Sequence, residues 1–351
     1  MRSRRSAATA ALLALITLPV LAGGATAGPP AAAAGASAVA RHNAIVAHWT
    51  DARLRAAKPR DFVFDAVRGF HIAPSRKPGA GGGGGNTTGA SWPNGKGLVY
   101  KVTGKVYFEM GGSGWVCSGT ALTDTRSNVS LVVTAGHCAY DETANGSPSG
   151  FATNWLFIPQ YDSSPTLSNC STTAYGCWTS TALVVNNGFA SAGGFNTRAT
   201  HYDWAFAVVG PGGKTNTQLD ALGTFGLTAS SISSGTVDAF GYPAAGKYHG
   251  NDLTYCQGPV GFDALTGGTN YKLACNMTGG SSGGPWLSGF AAADGSSTGN
   301  SGTIRSLNSY GYSGQSNMYG PIFNIETNDT LTAAHSATTT NTFVSCRAPC
   351  Q

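Results

Sequence analysis

The fold is decided by one stretch of the chain, Val132-Val133-Thr134-Ala135-Gly136-His137-Cys138. The apolar residues predict a buried strand, and the small residues after them predict a tight turn that presents a histidine. Histidine is the side chain whose pKa suits a general base near neutral pH. Cys138 can tie this turn to Cys117 on the preceding strand, which would hold the imidazole rigidly. We therefore interpret His137 as a candidate general base.

A second stretch, Gly280-Ser281-Ser282-Gly283-Gly284-Pro285, places a serine among glycines. Glycines let the backbone turn sharply and direct several N–H groups at one point, where they can hold a developing oxyanion. A serine hydroxyl becomes a good nucleophile only when a neighbouring base takes its proton. A Gly/Ser run alone decides little, because the run at 295–297 has the same composition and reads as an ordinary turn.

A third feature is Asp203, which leads directly into the apolar run 204–209. A carboxylate at the start of a buried strand is expected to be at least half buried, and a buried charge needs a partner. An imidazole N–H would satisfy it and would hold the base in one tautomer. The alternative is an aspartate that caps a helix or forms a turn.

Taken together, these stretches resemble the chymotrypsin-like (trypsin-like) serine peptidase family of the secreted bacterial type. Thr134-Ala135-Gly136-His137-Cys138 matches the family's histidine motif in full. Gly280-x-Ser282-Gly283-Gly284-Pro285 matches its serine motif except at position 281. The chain order His, Asp, Ser is the family's order, and the resemblance covers roughly residues 97–337.

The resemblance implies a fold and an activity. The fold is two packed six-stranded antiparallel β-barrels with the active site in the cleft between them. Ser282 would be the nucleophile, His137 the general base and acid, and Asp203 the orienting carboxylate. The backbone N–H groups of Gly280 and Ser282 would form the oxyanion hole. Polypeptides would be the substrates, cleaved through an acyl-enzyme on Ser282.

The substrate-binding residues that the resemblance implies are Asn276, Thr278, Ser309, Tyr310 and Gly311. The segment 309–311 resembles the strand that pairs with the substrate backbone and walls the primary specificity pocket. The segment 278–283 is nearer to the glutamyl endopeptidase branch than to trypsin. That branch uses a pocket histidine where 307–309 has none, and trypsin uses an aspartate where Asn276 is the nearest match. Neither Glu nor Arg/Lys specificity is therefore supported.

Composition favours an all-β protein. Charged residues are only 11% of the 351, and there are 50 glycines, which disfavours a helical bundle and suits many turns. Short strand-like runs separated by turn residues predict a barrel or sandwich. These runs are 98–103, 105–110, 115–122, 129–134, 155–159, 204–209, 237–240, 271–274, 304–309 and 319–325. A short C-terminal helix is predicted over 328–336.

All eight cysteines follow residue 116, and an even number in an exported chain predicts disulfides. The sequence does not fix their connectivity, but four sequence-local pairs suggest themselves: Cys117–Cys138, Cys170–Cys177, Cys256–Cys275 and Cys346–Cys350. The first of these also looks like the family's histidine-loop disulfide. Zinc-type C-x₂-C and H-x₃-H spacings are missing, so we expect no metal and no other cofactor.

The N-terminal region predicts export. Three arginines precede the apolar run 7–22, and Ala25-Thr26-Ala27 offers a cleavage site, so we interpret 1–27 as a signal peptide rather than a membrane anchor. Residues 28–90 contain a possible amphipathic helix around Ile45, Val46 and Trp49 and then a glycine tract at 79–85, a flexible linker. We interpret them as a pro-segment that inhibits the enzyme or aids its folding; a tail that stays attached is the alternative. Residues 91–351 are the predicted catalytic domain.

Charge follows the same division. Residues 1–90 hold 11 Lys/Arg and 3 Asp/Glu, whereas 91–351 hold 10 and 13, so the catalytic part is not basic. Nucleic-acid binding is therefore unsupported, and no membrane association is expected after signal cleavage. We expect a secreted, extracellular monomer.

Two other functions fit parts of the sequence. Gly280-x-Ser282-x-Gly284 also matches the nucleophile elbow of α/β-hydrolase esterases. That fold requires alternating strands and helices, and an acid and a histidine after the serine. A catalytically silent, protease-like binding protein is the other alternative, although such a protein would be expected to have lost one of the three candidate catalytic residues.

Overall fold

β-strands dominate the computed structural model, which describes residues 31–72, 88–93, 97–163, 167–291, 300–347 and 349–350. The predicted signal peptide and the glycine tract at 79–85 lie outside the described residues. No helix in the described part of the chain is long and apolar enough to cross a membrane.

The helices are α1 (Ala31–His48), α2 (Asp51–Ala56), α3 (Gly97–Val102), α4 (Asn187–Ala190), α5 (Thr197–His201) and α6 (Ile325–Ser336). The strands are β1 (Lys58–Pro59), β2 (Phe62–Asp65), β3 (Gly69–Ile72), β4 (Ala90–Ser91), β5 (Thr103–Met110), β6 (Ser113–Leu122), β7 (Ser130–Thr134), β8 (Thr153–Pro159), β9 (Trp178–Asn186), β10 (Ala205–Val209), β11 (Gly226–Leu227), β12 (Thr236–Gly241), β13 (Thr254–Pro259), β14 (Gly261–Phe262), β15 (Asn270–Ala274), β16 (Pro285–Ala291), β17 (Ser301–Leu307), β18 (Tyr310–Tyr312), β19 (Asn317–Pro321) and β20 (Thr342–Val344).

Six strands close into a barrel in the N-terminal half, in the order β6-β5-β8-β9-β10-β7, with β7 pairing back onto β6. Closure removes the free edges that an open sheet would expose. The strands β7 and β10 are buried along their whole length, which explains why both are continuous apolar runs rather than alternating ones. Strands β1 and β20 add to this sheet from outside the barrel.

The C-terminal half is built from two six-stranded sheets. Their orders are β11-β17-β16-β12-β13-β4 and β14-β15-β19-β18-β2-β3. The hydrogen-bond pattern therefore differs from the single closed antiparallel barrel expected here. Residues up to position 91 supply the extra strands: β2 and β3 extend the sheet at β18, and β4, which spans the predicted boundary at 90–91, pairs with β13. An exposed strand edge offers unpaired N–H and C=O groups, and these added strands cover it.

Most predicted elements are present, and one is wrong. The all-β class and the short C-terminal helix are confirmed, although α6 begins at Ile325, where Asn324 caps it in a capping box. Residues 98–103, predicted as a strand, form helix α3 instead. The side chain of Asn300 accepts a hydrogen bond from the first turn at Val99 N (3.1 Å), so the cap comes from a residue far along the chain.

The architecture also decides between the alternatives. An α/β-hydrolase requires parallel strands joined by helices. Within the described residues the barrel strands pair antiparallel, and consecutive strands are joined mostly by loops. The esterase alternative is therefore wrong.

All four sequence-local disulfides are present: Cys117–Cys138, Cys170–Cys177, Cys256–Cys275 and Cys346–Cys350. The first joins β6 to the turn after β7 and so fixes the position of His137 between them. The others tie a loop before β9, the strands β13 and β15, and the C-terminus.

Candidate active site

The turn that carries His137 is positioned by strand β7 before it and by close packing around Gly136. Strand β7 ends at Thr134, and residues Gly136–Cys138 form a single 3₁₀ turn that is completely buried. Gly136 is needed here, because a Cβ at this position would lie 3.0 Å from Asp203 Oδ1 and 3.1 Å from the ring of Phe189. The missing side chain lets the aspartate approach the turn.

Asp203 holds His137 through two hydrogen bonds. The backbone N–H of His137 donates to Oδ1 and its Nδ1 donates to Oδ2, both at 2.8 Å. A third donor is the hydroxyl of Ser309, 2.5 Å from Oδ2. Asp203 and His137 are completely buried, so the carboxylate is compensated by three hydrogen bonds rather than by water. This arrangement fixes the imidazole tautomer, with the proton on Nδ1.

The backbone of Ser282 lies beside the turn that carries His137. Its carbonyl oxygen accepts a hydrogen bond from Ser118 N at 2.7 Å and is 3.9 Å from the Sγ of Cys138, the neighbour of His137. His137 Nε2 has no hydrogen-bond partner among the described residues. The second imidazole nitrogen, which Asp203 does not use, is therefore free to act on a hydroxyl.

The loop before Ser282 has the conformation that its glycines allow. Gly280 has φ +94°, and its carbonyl oxygen accepts a hydrogen bond from Ser118 Oγ at 2.8 Å. The N–H groups of Gly280 and Ser282 donate to no backbone oxygen of the described residues. Gly283 has φ +83°, and a Cβ there would overlap Thr134 Oγ1, so this glycine is needed for close packing against β7.

The predicted substrate-binding residues fall into two groups. Ser309, Tyr310 and Gly311 lie at β18, next to Asp203. Asn276 and Thr278 make contacts within the protein: Asn276 Oδ1 accepts from Gly89 N (2.9 Å), and Thr278 Oγ1 accepts from Ala245 N (3.1 Å). Both are almost fully buried.

Strand β18, which the resemblance implies as a wall of the specificity pocket, is anchored by a buried carboxylate that the sequence analysis did not identify. Asp263 Oδ2 accepts hydrogen bonds from the hydroxyls of Tyr310 (2.6 Å) and Tyr312 (2.7 Å). Burial, together with this carboxylate, raises the pKa of both phenols far above the usual value, so they remain donors. No sequence pattern links Asp263 to these tyrosines, because the contact joins residues about fifty positions apart.

The cleft is occupied by the segment that precedes the catalytic domain. Strand β2 pairs in parallel with β18, with Phe62 opposite Tyr310. The ring of Phe62 stacks on Phe195 at 3.9 Å and meets the imidazole of His137 edge-on at 5.4 Å. Asp61 packs directly on Gly279. Sequence reasoning assigned no contact to these residues, since the short run 62–65 carries little signal without its partner strand.

Arg60, the residue before Asp61, binds on the other side of the histidine turn. Its Nη1 donates to the carbonyl oxygen of His137 at 2.6 Å, and its Nη2 donates to Glu142 Oε2 at 3.0 Å. This guanidinium and Glu142 are both buried.

One group of potential metal ligands occurs at the same place, namely Cys117, His137 and Cys138. The two cysteines are joined in a disulfide and cannot supply thiolates. The group is therefore not suited to hold a metal ion.

Comparison with known proteins places this site in context. The chain matches the crystal structure of the protease Anisep from Arthrobacter nicotinovorans with 33% identity and a TM-score of 0.57, over 71% of this chain and 100% of that one. It matches a thermostable serine protease, AL20, from an extremophilic microorganism with 30% identity and a TM-score of 0.55, over 69% of this chain and 100% of that one.

A third structure, a Glu endopeptidase in complex with MPD, matches with 18% identity and a TM-score of 0.51, over 73% of this chain and 99% of that one. This likeness concerns the fold alone. No protein-family model matches the chain, and no curated protein matches it.

Proposed function

This chain belongs to the chymotrypsin-like serine protease family, and from that premise we propose that it is a secreted endopeptidase that cleaves peptide bonds through an acyl-enzyme on Ser282. The family membership makes it a hydrolase that acts on polypeptides. The roles of individual residues, the pro-segment and secretion are parts of the proposal.

Each step of the reaction can be assigned to a group. His137 Nε2 takes the proton of the Ser282 hydroxyl while the oxygen attacks the substrate carbonyl, and the same nitrogen then gives the proton to the leaving amine. Asp203 keeps the imidazole in the required tautomer and stabilises its positive charge. The N–H groups of Gly280 and Ser282 receive the oxyanion, where one donor is worth roughly 10²–10³ in rate. Water hydrolyses the ester by the same steps in reverse.

One observation carries this assignment. Asp203 binds both the backbone N–H and the Nδ1 of His137, which leaves Nε2 without a partner in the described residues, next to the loop of Ser282. A merely structural histidine would be expected to use both ring nitrogens when buried.

The experiment is covalent labelling of the processed protein with a sulfonyl fluoride or phosphonate. We expect a single adduct on Ser282, and we expect Ser282→Ala to abolish it and to lower kcat about a million-fold. Ser281→Ala is the matched control, because the Ser281 hydroxyl donates to Thr278 O within its own turn. Labelling that survives in Ser282→Ala and is lost in Ser281→Ala would overturn the assignment, and a protein that never labels would favour the silent binding protein.

The proposal includes residues 28–90 as an inhibitory pro-segment. With this segment in place β2 pairs with β18 and Phe62 packs against His137, so the segment occupies the strand edge that a substrate would use. Aromatic stacking of Phe62 and the buried ion pair of Arg60 supply the contacts that hold the segment in the cleft. We propose cleavage in the linker between this segment and the catalytic domain 91–351, after removal of the signal peptide 1–27. The four disulfides fit an oxidising, extracellular location, and we propose a monomer.

The direction of β2 explains how the segment can escape cleavage. In the chymotrypsin-like family, the strand that corresponds to β18 pairs with substrate residues that precede the scissile bond. Ser309, next to β18, touches Asp203, and Tyr312 lies farther away. A substrate must therefore run towards Ser309, antiparallel to β18, whereas β2 runs parallel to it. A reversed chain does not present its carbonyl groups to Ser282 in the productive orientation.

A further inference from the structure

Arg60 occupies a small acidic site beside the catalytic turn. Its guanidinium has three acceptors: the carbonyl oxygen of His137 at 2.6 Å, Glu142 through both carboxylate oxygens at 3.0 and 3.3 Å, and Asp141 Oδ1 at 3.8 Å. The side chains of Arg60 and Glu142 are 4% and 3% exposed. Hydrogen bonds between a guanidinium and a carboxylate are assisted by charge and are among the strong contacts that a protein offers a cation.

The partner that binds Glu142 belongs to the segment that is removed. Within the described residues, Arg60 forms the one ion pair of Glu142. When one member of a buried ion pair leaves, the other remains as an uncompensated charge, which is strongly unfavourable. Removal of the segment therefore leaves the Glu142 carboxylate without its cationic partner, at a position that a guanidinium already fits.

The position of this site relative to the reacting bond follows from the order of contacts along the pro-segment. Arg60 lies at Glu142, Asp61 lies on Gly279 beside the oxyanion loop, and Phe62 lies on β18. Substrate residues before the scissile bond use β18. The acidic site is on the opposite side of the nucleophile loop and so lies where residues after the scissile bond must pass.

The residues around Glu142 suit a long cationic side chain. The catalytic part contributes Met110, Gly111, Trp115 and Thr143, together with the two acidic residues, to a cleft whose other walls include Arg60, Phe62, Phe70 and Ile72 of the pro-segment. Apolar walls that end in carboxylates match the methylene stem and charged head of arginine or lysine. Nη1 of Arg60 donates to the carbonyl oxygen of His137 while Nη2 donates to Glu142, and two donors at the fixed spacing of a planar guanidinium favour arginine over lysine.

We propose that Glu142, Asp141 and the carbonyl oxygen of His137 form a subsite for a basic side chain, preferably arginine, within two residues after the scissile bond. This inference rests on the proposed function, since it concerns the substrate of the same active site. The pro-segment occupies the subsite with Arg60 from a chain that runs in the reverse direction.

The test uses the processed enzyme and internally quenched peptides that differ only at the first or second residue after the scissile bond. That residue is arginine or citrulline, which has nearly the same shape but no charge. Because hydrogen bonds to charged groups are worth about 1.5–3 kcal/mol, we expect kcat/KM to favour arginine by about ten- to hundredfold at one of these positions. A ratio near one at both positions in the unmodified enzyme overturns the inference.

A substitution assigns the preference to Glu142. In Glu142→Gln the arginine-to-citrulline ratio should fall towards one, with active enzyme counted by titration of Ser282. Glu326→Gln is the matched control: Glu326 lies on α6, where it contacts Asn186 and Arg347, and the ratio should be retained. A ratio retained in Glu142→Gln contradicts the assignment, and if that variant does not mature, the ratio in the unmodified enzyme still decides. Absence of Ser282 labelling would contradict the proposed function, whereas labelling and cleavage without an arginine preference contradict this inference alone.

Discussion

Asp203 shows how one buried carboxylate organises the candidate active site. It accepts hydrogen bonds from the backbone and ring of His137 and from the hydroxyl of Ser309. The first two bonds orient the base. The third, from Ser309, gives the carboxylate a further donor, and we infer that Ser309 acts through Asp203 as a positioning residue.

Ser309→Ala should therefore lower kcat about tenfold or more, with a smaller change in KM, because a charge-assisted hydrogen bond is removed without touching the substrate's reacting atoms. The pH at which the rate is half-maximal should also shift, since the carboxylate that stabilises the imidazolium has lost a donor. Ser306→Ala is the control, because its buried hydroxyl donates to Pro321 O and not to the triad. Unchanged kcat and pH profile in Ser309→Ala would show that this contact is only structural.

Lys105 gives stability a pH dependence of its own. Burial lowers the pKa of this lysine to about 7, and its ammonium group faces the ring of Tyr161 at 4.1 Å. The pKa of an unfolded lysine is about 10.4. Between about pH 7 and this value, the unfolded chain therefore binds one more proton than the folded chain. The free energy of unfolding contributed by this group therefore rises with pH across that window.

Lys105→Met should consequently stabilise the protein most at about pH 7, and its advantage should shrink as the pH approaches 10. Urea unfolding of the inactive Ser282→Ala chain at several pH values measures this difference. Lys214→Met, at an exposed position, should show neither the gain nor the trend. A gain in the free energy of unfolding that is the same at all pH values would contradict this explanation.

The three candidate catalytic residues lie in local motifs. His137, Asp203 and Ser282 each stand in a recognisable run, and the structure brings the first two into hydrogen-bond contact and the third beside them. Arg60 and Glu142 carry no such signal. Their pairing depends on two segments about eighty residues apart meeting at one turn, which no local pattern encodes.

Among the structural elements, the loop that carries Ser282 is built on close backbone contacts. Gly283 has φ +83°, and a side chain there would overlap Thr134 Oγ1 and the carbonyl oxygen of Ser118. The loop is thus seated directly on β7 and β6, the two strands that the Cys117–Cys138 disulfide connects to the histidine turn.

Gly283→Ala should lower the free energy of unfolding by about 2–4 kcal/mol, because overpacking adds to the strain of a left-handed backbone. Gly314→Ala separates the two causes. Gly314 has a similar φ of +75° but nothing within 4 Å of a Cβ, so it should cost only about 1–2 kcal/mol. Equal losses in both variants, measured by denaturant unfolding, would mean that close packing contributes little.

Strand β2 should account for much of the inhibition by the pro-segment. A peptide covering residues 31–72, added to the processed enzyme, should inhibit it, and Phe62→Ala in that peptide should raise the inhibition constant about 30-fold or more, since a buried aromatic anchor is lost. Val67→Ala, at a position that is 93% exposed, is the control and should inhibit like the unchanged peptide. Equal inhibition by both variants contradicts the proposed role of Phe62.

The errors at the level of elements have a shared cause. Residues 98–103 have the aromatic and β-branched composition of a strand, yet Asn300 caps them as a helix. Strands β1 to β4 are short and become strands only by pairing with β6, β18 and β13. Propensity is a local quantity, whereas caps and partner strands come from distant parts of the chain.

For the whole molecule, composition and turn spacing sufficed to predict an all-β barrel or sandwich, because such architecture needs only short strands and turns. The protease fold was implied by the resemblance of the histidine and serine motifs. None of these patterns could predict how residues 31–72 sit on the body, since that depends on surface complementarity. Strand β4 pairs with β13, and Gly89 N–H donates to Asn276; we therefore propose that cleavage leaves β4 attached to the catalytic part.

N-terminal sequencing and mass measurement of the secreted enzyme should therefore place the mature N-terminus between residues 73 and 89. Cleavage in this interval spares both β3 and β4 and falls in the glycine-rich stretch that proteases reach readily. A mature chain that began beyond Ser91 would lack β4 altogether and would contradict this boundary.

The reversed course of β2 has a consequence for the timing of activity. Cleavage of the linker breaks a covalent connection but leaves the contacts of Arg60 and Phe62 in place. With the proposed inhibition by residues 28–90, we therefore expect the cleaved protein to be inactive until the segment dissociates. Activity then depends on dissociation of the segment from the enzyme, which dilution favours and a high local protein concentration opposes. A concentrated preparation would remain inactive after cleavage of the linker, and the same protein would become active on dilution.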